Sequence, residues 1–138
     1  MKAWLVNTNS NPDNDNENGF KFMLRQNKAA SFYYRIEEID VIKKGDLVLI
    51  YHNNNRIIAV GAVVEEEQKH DFDETHHIEH WADVNWLWKA DFDGDKPLNS
   101  INRNDLGITK FRHTVEDITD QLNYKILFEK ICERQKYL

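Results

Sequence analysis

The clearest structural signal in the chain is the stretch KKGDLVLIYHNNNRIIAVGAVV, residues 43–64. After an opening turn, Leu47 to Tyr51 is strongly apolar and β-prone, which predicts a strand. The connection from His52 to Asn55 is rich in Asn, which tolerates the left-handed backbone of tight turns. A second strand is predicted from Arg56 to Val64. We therefore expect an antiparallel hairpin, in which Gly61 marks a bulge or the close approach of another backbone.

Weaker signals precede this hairpin. Trp4 to Val6 predicts a short strand, and the polar residues after it predict a loop. The stretch from Asn9 to Gly19 is rich in Asn, Asp, Pro and Gly, which is typical of turns. Phe20 to Asn27 fits either a helical turn or a short strand. From Ser31 to Ile42 the approximately helical spacing of apolar residues favours a short helix packed on the core.

The segments after the hairpin are read in the same way. Glu65 to His80 is polar and predicts a long loop, and Trp81 to Phe92 predicts a third strand with Val84, Trp86 and Trp88 on one face. Further on, we expect a final strand, a helix start capped by Thr114, and a terminal helix. The last three segments are Gly107 to Arg112, Thr114 to Thr119 and Leu122 to Tyr137.

Composition limits the possible classes of protein. The 138 residues are 41% hydrophobic and 12% aromatic, so we expect one folded domain over residues 1–138, either alone or as the N-terminal domain of a longer protein. The formal net charge of -6 counts against broad binding to phosphate backbones, although a local basic rim is compatible with it. One cysteine favours a reducing compartment. No apolar run approaches the roughly 20 residues that span a bilayer, so we expect a cytoplasmic protein without membrane contact.

Motifs for catalysis or metal binding are weak. There is no nucleophile elbow, Walker loop or dinucleotide fingerprint, so we expect a protein that is not an enzyme. The segment from His70 to His80 is rich in metal-ligand types but lacks a ligand pattern, and the calcium-like start Asp91 to Asp95 fails at its sixth and twelfth positions, Lys96 and Asn102. We therefore expect no metal and no cofactor. Cys132 is interpreted as a packing residue of the last helix.

Two features point to a ligand site. Of the four tryptophans, Trp86 and Trp88 are expected in the core, whereas Trp81 begins a strand after a polar loop, where an indole can stack on a planar base. The run from Asn7 to Ser10 carries short amides and hydroxyls, which can read the edge of a base. A plain polar loop with side-chain turns is the alternative for this run.

The order of these pieces resembles a known family. A strand with Trp4 to Val6 enters a polar loop, a helix leads into KGDLVLIY at residues 44–51, and the glycine-bearing AVGAV at residues 59–63 precedes a strand with VNW at residues 84–86. Over roughly residues 2–118 this order resembles the EVE domains and, more distantly, the YTH domains of the PUA superfamily. It is also similar to the N-terminal modification-sensing domains of McrB-like restriction proteins. The resemblance implies an α+β fold, a PUA-like mixed β-barrel flanked by short helices and followed by a C-terminal helix.

The resemblance also implies an aromatic pocket for a modified base. The polar residues after the first strand would line it, and a basic residue late in the chain would contact phosphate. YTH-like domains place a tryptophan after the first loop, and this chain has none there, so other aromatics would form the cage. Tyr34 and Arg35 resemble a Tyr-Arg pair found in EVE domains. The predicted base-binding residues are Asn7, Thr8, Asn9, Ser10, Phe20, Phe22, Tyr34, Arg35, Trp81 and Arg112.

The function implied by the resemblance is recognition of a methylated or hydroxymethylated base in DNA, flipped into the pocket by the sensor domain of a restriction system. A fused or associated motor and nuclease would be the partners. An RNA-binding module is the second hypothesis, since PUA-like domains commonly bind RNA. A protein-interaction domain and a small metal-dependent hydrolase built on the segment from His70 to His80 are the remaining alternatives.

Overall fold

The computed structural model describes residues 1–8, 20–52, 56–66, 69–72, 78–94 and 96–135. Within these ranges the chain forms ten strands, two α-helices and two 3₁₀ helices. In chain order the elements are β1 (Ala3–Asn7), α1 (Phe20–Gln26), β2 (Lys28–Phe32), a 3₁₀ helix (Tyr33–Val41), β3 (Leu47–His52), β4 (Arg56–Val63), β5 (Lys69–Phe72), β6 (Ile78–Lys89), β7 (Phe92–Asp93), β8 (Lys96–Pro97), β9 (Ile101–Asn102), a second 3₁₀ helix (Arg103–Leu106), β10 (Val115–Asp117) and α2 (Tyr124–Gln135).

The main sheet is mixed and curls into a half-barrel. Its strand order is β10-β1-β3-β4-β6-β2, while β5 also pairs with β6 and β9 with β4. The β1–β3 pair is parallel, and the other pairs are antiparallel. Because the side chains of β1 and β3 are almost all buried, this parallel pair forms the centre of the core. The expected α+β class, the curled mixed sheet and the C-terminal helix are therefore present.

The predicted hairpin is confirmed as β3 and β4, and residues 53–55 of its connection lie outside the described residues. The bulge predicted at Gly61 is also confirmed, because the register between β4 and β6 shifts between Val60 and Gly61. A Cβ at Gly61 would overlap Val84 Cγ1 and lie 2.8 Å from both the carbonyl oxygen of Asn85 and an indole carbon of Trp86. The sheet can therefore close on β6 at this point only because residue 61 has no side chain.

The same bulge corrects the predicted faces of the third strand. Trp86 lies opposite Gly61, and Trp88 lies opposite Val60. Since Val60 and Gly61 are neighbours on β4 and project to opposite sides, Trp86 and Trp88 do not share a face. Trp88 is buried, whereas Trp86 stays partly exposed. The prediction failed because strict alternation does not survive a bulge.

The segment before the hairpin contains a strand that the sequence pattern did not reveal. Phe20–Gln26 is helical, and Asn27 then adopts φ 55°, so the chain reverses into β2. The helix expected from Ser31 is a 3₁₀ helix that begins only at Tyr33, because Ser31 still belongs to β2. The sequence of β2, KAASF, lacks both alternation of apolar and polar residues and any β-branched residue. This segment is therefore a strand because it pairs with β6, and not because of local propensity.

The loop expected from Glu65 to His80 is in part sheet. Lys69–Phe72 forms β5, and β6 begins at Ile78, before Trp81. Residues 67–68 and 73–77 lie outside the described residues. The start of β6 pairs with β2 on one side and with β5 on the other. The polar residues at the start of β6 therefore lie in a strand with a hydrogen-bonded neighbour on each side, not in a loop.

The predictions for residues 107–119 are wrong. Gly107 to Arg112 forms no strand, and its backbone is held by Gln121, whose Oε1 accepts from the N–H groups of Thr109 and Lys110. The segment after Thr114, expected to open a helix, is the edge strand β10, with Val115 opposite Val6. The open edge of β1 supplies backbone partners that outweigh the acidic helix-start signal.

The terminal helix is confirmed as α2, which buries Leu127 and Ile131 against the core. Arg134 fastens its end, since Nε and Nη2 donate to the carbonyl oxygens of Asn99 and Ser100 at 2.7 and 3.0 Å. Cys132, expected to be a packing residue, is exposed. No helix among the described residues is long and apolar enough to cross a bilayer.

A buried carboxylate anchors the other end of β1. Asp46 accepts hydrogen bonds from the backbone N–H groups of Lys2 and Lys43 at 3.0 and 2.9 Å and from the indole N–H of Trp4 at 2.9 Å. Burial alone would raise the pKa of Asp46, but these three hydrogen bonds outweigh it and lower the pKa below its ordinary value. Asp46 thus ties the turn before β3 to the start of β1.

Candidate nucleic-acid interface

The carboxyl ends of β1 and β3 lie side by side, because the two strands are parallel with Asn7 opposite Tyr51. The hydroxyl of Thr8 donates to the Tyr51 carbonyl oxygen at 2.9 Å and lies 3.2 Å from His52 Nδ1. Thr8 is only 2% exposed. Its side chain therefore cross-links the two strand ends and points away from solvent.

An internal aromatic stack lies behind this edge. The Phe20 ring is 4.0 Å from the His52 ring and 5.3 Å from the Phe92 ring, centroid to centroid. Phe20 is buried, and its ring connects the start of α1 to the end of β3 and to β7. Its place in the stack is that of a core residue, which supports the edge from within.

A segment from Lys110 to Thr114 passes along the same edge. The Phe111 ring packs 5.0 Å from the Tyr51 ring, and the N–H of Asn7 donates to the Thr114 carbonyl oxygen at 2.7 Å. The N–H of Thr114 in turn donates to Oε1 of Glu38 at 3.1 Å. These contacts fix the segment between the end of β1 and the 3₁₀ helix Tyr33–Val41.

This segment is the basic part of the edge. Lys110, Arg112 and His113 are exposed, while Phe111 between them is partly buried. The backbone N–H of Arg112 donates to Glu116 Oε1 at 2.9 Å, which defines the backbone position of this exposed residue. In a chain of net charge -6, Lys110 and Arg112 place two positive charges beside Asn7, which is itself partly exposed, while the carboxylates of Glu38 and Glu116 accept from backbone N–H groups of the same segment.

Trp81 belongs to another group of contacts, on the face formed by β2 and β6. It lies opposite Ala30, two positions from Glu79 on β6, and it is partly exposed. Lys28 begins β2 and extends across the indole, with Nζ 4.6 Å from the ring centroid and 2.6 Å from Glu79 Oε2. Both charged side chains are almost fully buried. An indole face, an ammonium and a carboxylate therefore meet at one place.

The opposite face of β6 carries a second polar group. His80 Nδ1 lies 2.9 Å from Asp40 Oδ1, and Ser31, directly opposite His80 in the register, accepts a hydrogen bond from the N–H of Ile39 at 3.2 Å. These contacts hold the 3₁₀ helix Tyr33–Val41 against β2 and β6. Since successive residues of a strand project to opposite faces, His80 and Trp81 serve different surfaces.

The structure brings some of the predicted site residues together. Asn7, Thr8, Phe20 and Arg112 gather around the ends of β1 and β3, and Trp81 lies on the face shared with Lys28. Asn9 and Ser10 lie outside the described residues. Phe22, Tyr34 and Arg35 are described only by their backbone, in α1 and in the 3₁₀ helix.

Two charged residues of this region went unnoticed in the sequence. Lys28 and Glu79 lie far apart along the chain and become neighbours only through the pairing of β2 with β6. The sequence does contain a single lysine directly before the small residues Ala29 and Ala30. This pattern points to a contact of Lys28 only once the segment is recognised as the strand β2.

Metal binding finds no site in the described part of the chain, where no three His, Cys, Asp or Glu side chains converge. His76 and His77, the centre of the histidine-rich segment, lie outside the described residues. His80 at its end pairs with Asp40.

Comparisons with known proteins agree with the fold. The chain belongs to the family described as Domain of unknown function (DUF8426), whose family model matches residues 5–110. No curated protein sequence matches the chain. The chain is similar to the YTH domain of the Zygosaccharomyces rouxii MRB1 protein, determined in complex with N6-methyladenosine RNA, with 13% identity, a TM-score of 0.59, and coverage of 94% of this chain and 86% of that one. It is also similar to protein Atu2648 from Agrobacterium tumefaciens, with 11% identity, a TM-score of 0.50, and coverage of 94% and 93%.

The likeness to the YTH domain establishes a YTH-like fold for the chain. The YTH part of the resemblance read from the sequence is thus confirmed at the level of fold. The narrower likeness to PUA proteins, EVE domains and McrB-like sensors stays a prediction.

Proposed function

We propose that this domain is a binding module, without catalytic activity, that recognises a modified base in a single strand of nucleic acid. The observation that carries the proposal is the exposed basic segment from Lys110 to His113. The backbone N–H of Asn7 holds this segment beside β1, because it donates to the carbonyl oxygen of Thr114. Phosphate contacts of this kind fix the register of a strand but carry no sequence information. A second element must therefore read the base.

Trp81 is the best candidate for the aromatic wall. Of the two predicted wall residues whose side chains are described, Phe20 is buried in a stack with His52 and Phe92, whereas Trp81 is partly exposed. Stacking of a base on an aromatic ring contributes about 1–3 kcal/mol. We assign Arg112 to a phosphate contact and Asn7 to a polar contact with the bound strand, both at the ends of β1 and β3, and Thr8 to support of those strand ends.

The choice between RNA and DNA is open to experiment. The likeness to a YTH domain that was determined with N6-methyladenosine RNA favours RNA. The resemblance to restriction sensors favours DNA with a methylated or hydroxymethylated base, extrusion of that base from the duplex, and a motor and a nuclease as partners. Contacts to the 2′-hydroxyl would separate the two, because only RNA carries that group.

Binding to matched oligonucleotides tests the proposal. Short single-stranded RNA and DNA of one sequence would carry one central base, either unmodified or methylated at an exocyclic or a ring position, with affinities measured by fluorescence anisotropy at several salt concentrations. We expect preference for one modified base and a logarithmic salt slope that falls by about 0.7 for each phosphate contact removed. Arg112→Ala should weaken modified and unmodified strands alike, because it removes a backbone contact.

Lys125→Ala provides the matched control, since it removes one exposed positive charge from the outer face of α2. It should leave both affinity and salt slope unchanged. If wild-type protein binds no oligonucleotide even at low salt, the proposal fails and a protein-interaction role takes its place. Equal loss of affinity in Arg112→Ala and Lys125→Ala would show that only net charge matters.

A further inference from the structure

Four strand ends line one edge of the main sheet. They are the end of β1 at Asn7, the end of β3 at His52, the start of β4 at Arg56 and the end of β9 at Asn102. Asn7 is paired with Tyr51 of β3, while Arg56 lies between His52 on one side and Asn102 on the other. Neighbouring strands lie about 4.8 Å apart, so the distance along this edge from β1 to β4 is about 10 Å.

Three positively charged side chains lie along this edge. Arg56 is at the start of β4, and Lys110 and Arg112 belong to the basic segment that passes the end of β1. Arg56 is partly exposed, and the other two residues are exposed. Within the described part of the chain, none of these three side chains forms a hydrogen bond or an ion pair. A row of such cations attracts a ligand with a row of negative charges, such as the phosphate backbone of a single strand.

The distance between the basic segment and the start of β4 is fixed by packing. Arg103 begins the second 3₁₀ helix directly after β9, and its Nη1 donates to the carbonyl oxygen of Ile108 at 2.6 Å. Its guanidinium carbon lies 5.1 Å from the centroid of the Phe111 ring, which also packs against Tyr51 of β3. The basic segment is therefore tied to β9 and to β3 at once, so the sheet sets its position relative to Arg56.

Carboxylates also lie around this edge, and each has a neighbour other than Arg56. These carboxylates belong to Glu38, Glu116, Asp91, Asp93 and Asp105. The two glutamates accept from backbone N–H groups, and Asp91 accepts from an asparagine amide. Asp93 lies opposite a lysine in the β7–β8 pair, and Asp105 lies 3.9 Å from a lysine of α2. Arg56 is thus a cation that the fold itself leaves without a carboxylate partner among the described residues.

We propose that Arg56 binds a second phosphate of the bound strand, which runs along this edge from the basic segment to the start of β4. The inference rests on the proposed function and adds the path and the minimum length of the ligand. A planar guanidinium can bind two phosphate oxygens at once. Stacked nucleotides place one phosphate about every 3.4 Å along a strand, so about 10 Å corresponds to about three phosphates. A strand that stops at Arg112 is therefore too short to reach Arg56.

The experiment uses two series of single-stranded oligonucleotides, in RNA and in DNA, with a central adenine or N6-methyladenine. One series is lengthened one nucleotide at a time on the 5′ side and the other on the 3′ side, and affinities are measured by fluorescence anisotropy. In one series, the affinity of wild-type protein should rise by about two- to fivefold when the strand reaches Arg56. Arg56→Gln should bind the short strands like wild type and should lack this rise.

The salt dependence separates a phosphate contact from a change in structure. For the long strands, Arg56→Gln should lower the logarithmic salt slope by about 0.7, whereas Arg56→Lys keeps the charge and should keep the slope. The losses from Arg56→Gln and Arg112→Ala should multiply in the double variant, because the two residues hold different phosphates. Lys125→Gln is the matched control on the exposed face of α2 and should change neither quantity. Thermal unfolding followed by circular dichroism verifies that each variant is folded.

Two results would overturn the inference: wild type and Arg56→Gln that respond alike to strand length in both series, or equal losses in Arg56→Gln and Lys125→Gln. Its failure is distinguishable from failure of the proposed function. Selective binding of N6-methyladenine strands that ignores Arg56→Gln would retain the proposed function and reject the path. Equal binding of adenine and N6-methyladenine strands, with a length-dependent loss in Arg56→Gln, would retain the path and count against recognition of this base. Absence of binding to every strand would reject both.

Discussion

Gly61→Ala is the substitution whose effect on stability follows most directly from the structure. A Cβ at this position would meet the Asn85 carbonyl oxygen at 2.8 Å, about 0.6 Å closer than ordinary contact, and would overlap Val84 Cγ1. The valine methyl can move by rotation, but the carbonyl belongs to the backbone of β6. The β4–β6 pair must therefore separate locally at the bulge.

The expected cost can be bounded from both sides. Overpacking of a well-packed interior costs about 1–3 kcal/mol, and a clash with backbone lies at the upper end of that range. Replacing Gly by Ala also restricts the unfolded chain, which returns about 0.4–1 kcal/mol. We expect Gly61→Ala to lower the free energy of unfolding by about 2 kcal/mol, which corresponds to a fall in Tm of roughly 5–10 °C for a chain of this size.

Urea unfolding followed by tryptophan fluorescence measures this change, and the m-value should stay the same. Gly45→Ala is a useful control, because nothing lies within 4 Å of its Cβ and only its φ of +88° is strained. It should cost about 1 kcal/mol. Adding Val84→Ala to Gly61→Ala should show favourable coupling, since one of the clashing groups is removed. A Gly61→Ala protein as stable as wild type would refute the close approach at the bulge.

Three further predictions concern individual anchors of the fold. Asp46 has a lowered pKa in the folded state, so its contribution to the free energy of unfolding is fully present above pH 3.8 and is lost as the pH falls through the lower folded pKa. Asp46→Asn should therefore flatten the acid side of a plot of unfolding free energy against pH. An unchanged acid side would contradict this. Arg134→Met removes donors to two loop carbonyl groups and should cost about 2 kcal/mol in thermal unfolding, whereas Lys125→Met on the exposed face of α2 should cost almost nothing. Thr8→Val should lower the free energy of unfolding by about 1 kcal/mol, because the Tyr51 carbonyl oxygen loses its donor. Thr8→Ser keeps the hydroxyl and should retain that stability. Equal stability of the valine and serine variants would argue against the hydrogen bond.

The parts of the fold that were predictable share a strong local signal. The hairpin of β3 and β4 could be read because two apolar, β-prone runs flank an Asn-rich turn, and Gly61 interrupts one of them. The terminal helix could be read from its apolar spacing. In both cases the local preference and the tertiary contacts agree.

The missed elements depend on partners that are distant in sequence. Lys28–Phe32 has no strand pattern of its own and is ordered by β6, and Val115–Asp117 is ordered by the open edge of β1 against a helix-like sequence. The bulge at Gly61 likewise changes which face Trp88 occupies. Each of these outcomes is decided by backbone hydrogen bonding between strands, which local propensity does not contain.

The candidate site was predictable only in part for the same reason. Arg112 was proposed from the resemblance, Asn7 from the short polar side chains that follow the first strand, and Trp81 from its place after a polar loop. The role of Thr8 differs from that expectation, because its hydroxyl bonds to the backbone of β3. Lys28 and Glu79 could not be paired from the sequence, since their contact requires the register of β2 against β6.

The most direct test of the proposed function is the affinity of the wild-type domain for one oligonucleotide sequence, in RNA and in DNA, with the central base unmodified or modified. We expect selective binding of a modified base, with Arg112→Ala weakening all strands equally and Trp81→Ala removing the selectivity. Binding that ignores the modification, or selectivity that survives the loss of Trp81, would contradict the proposed function.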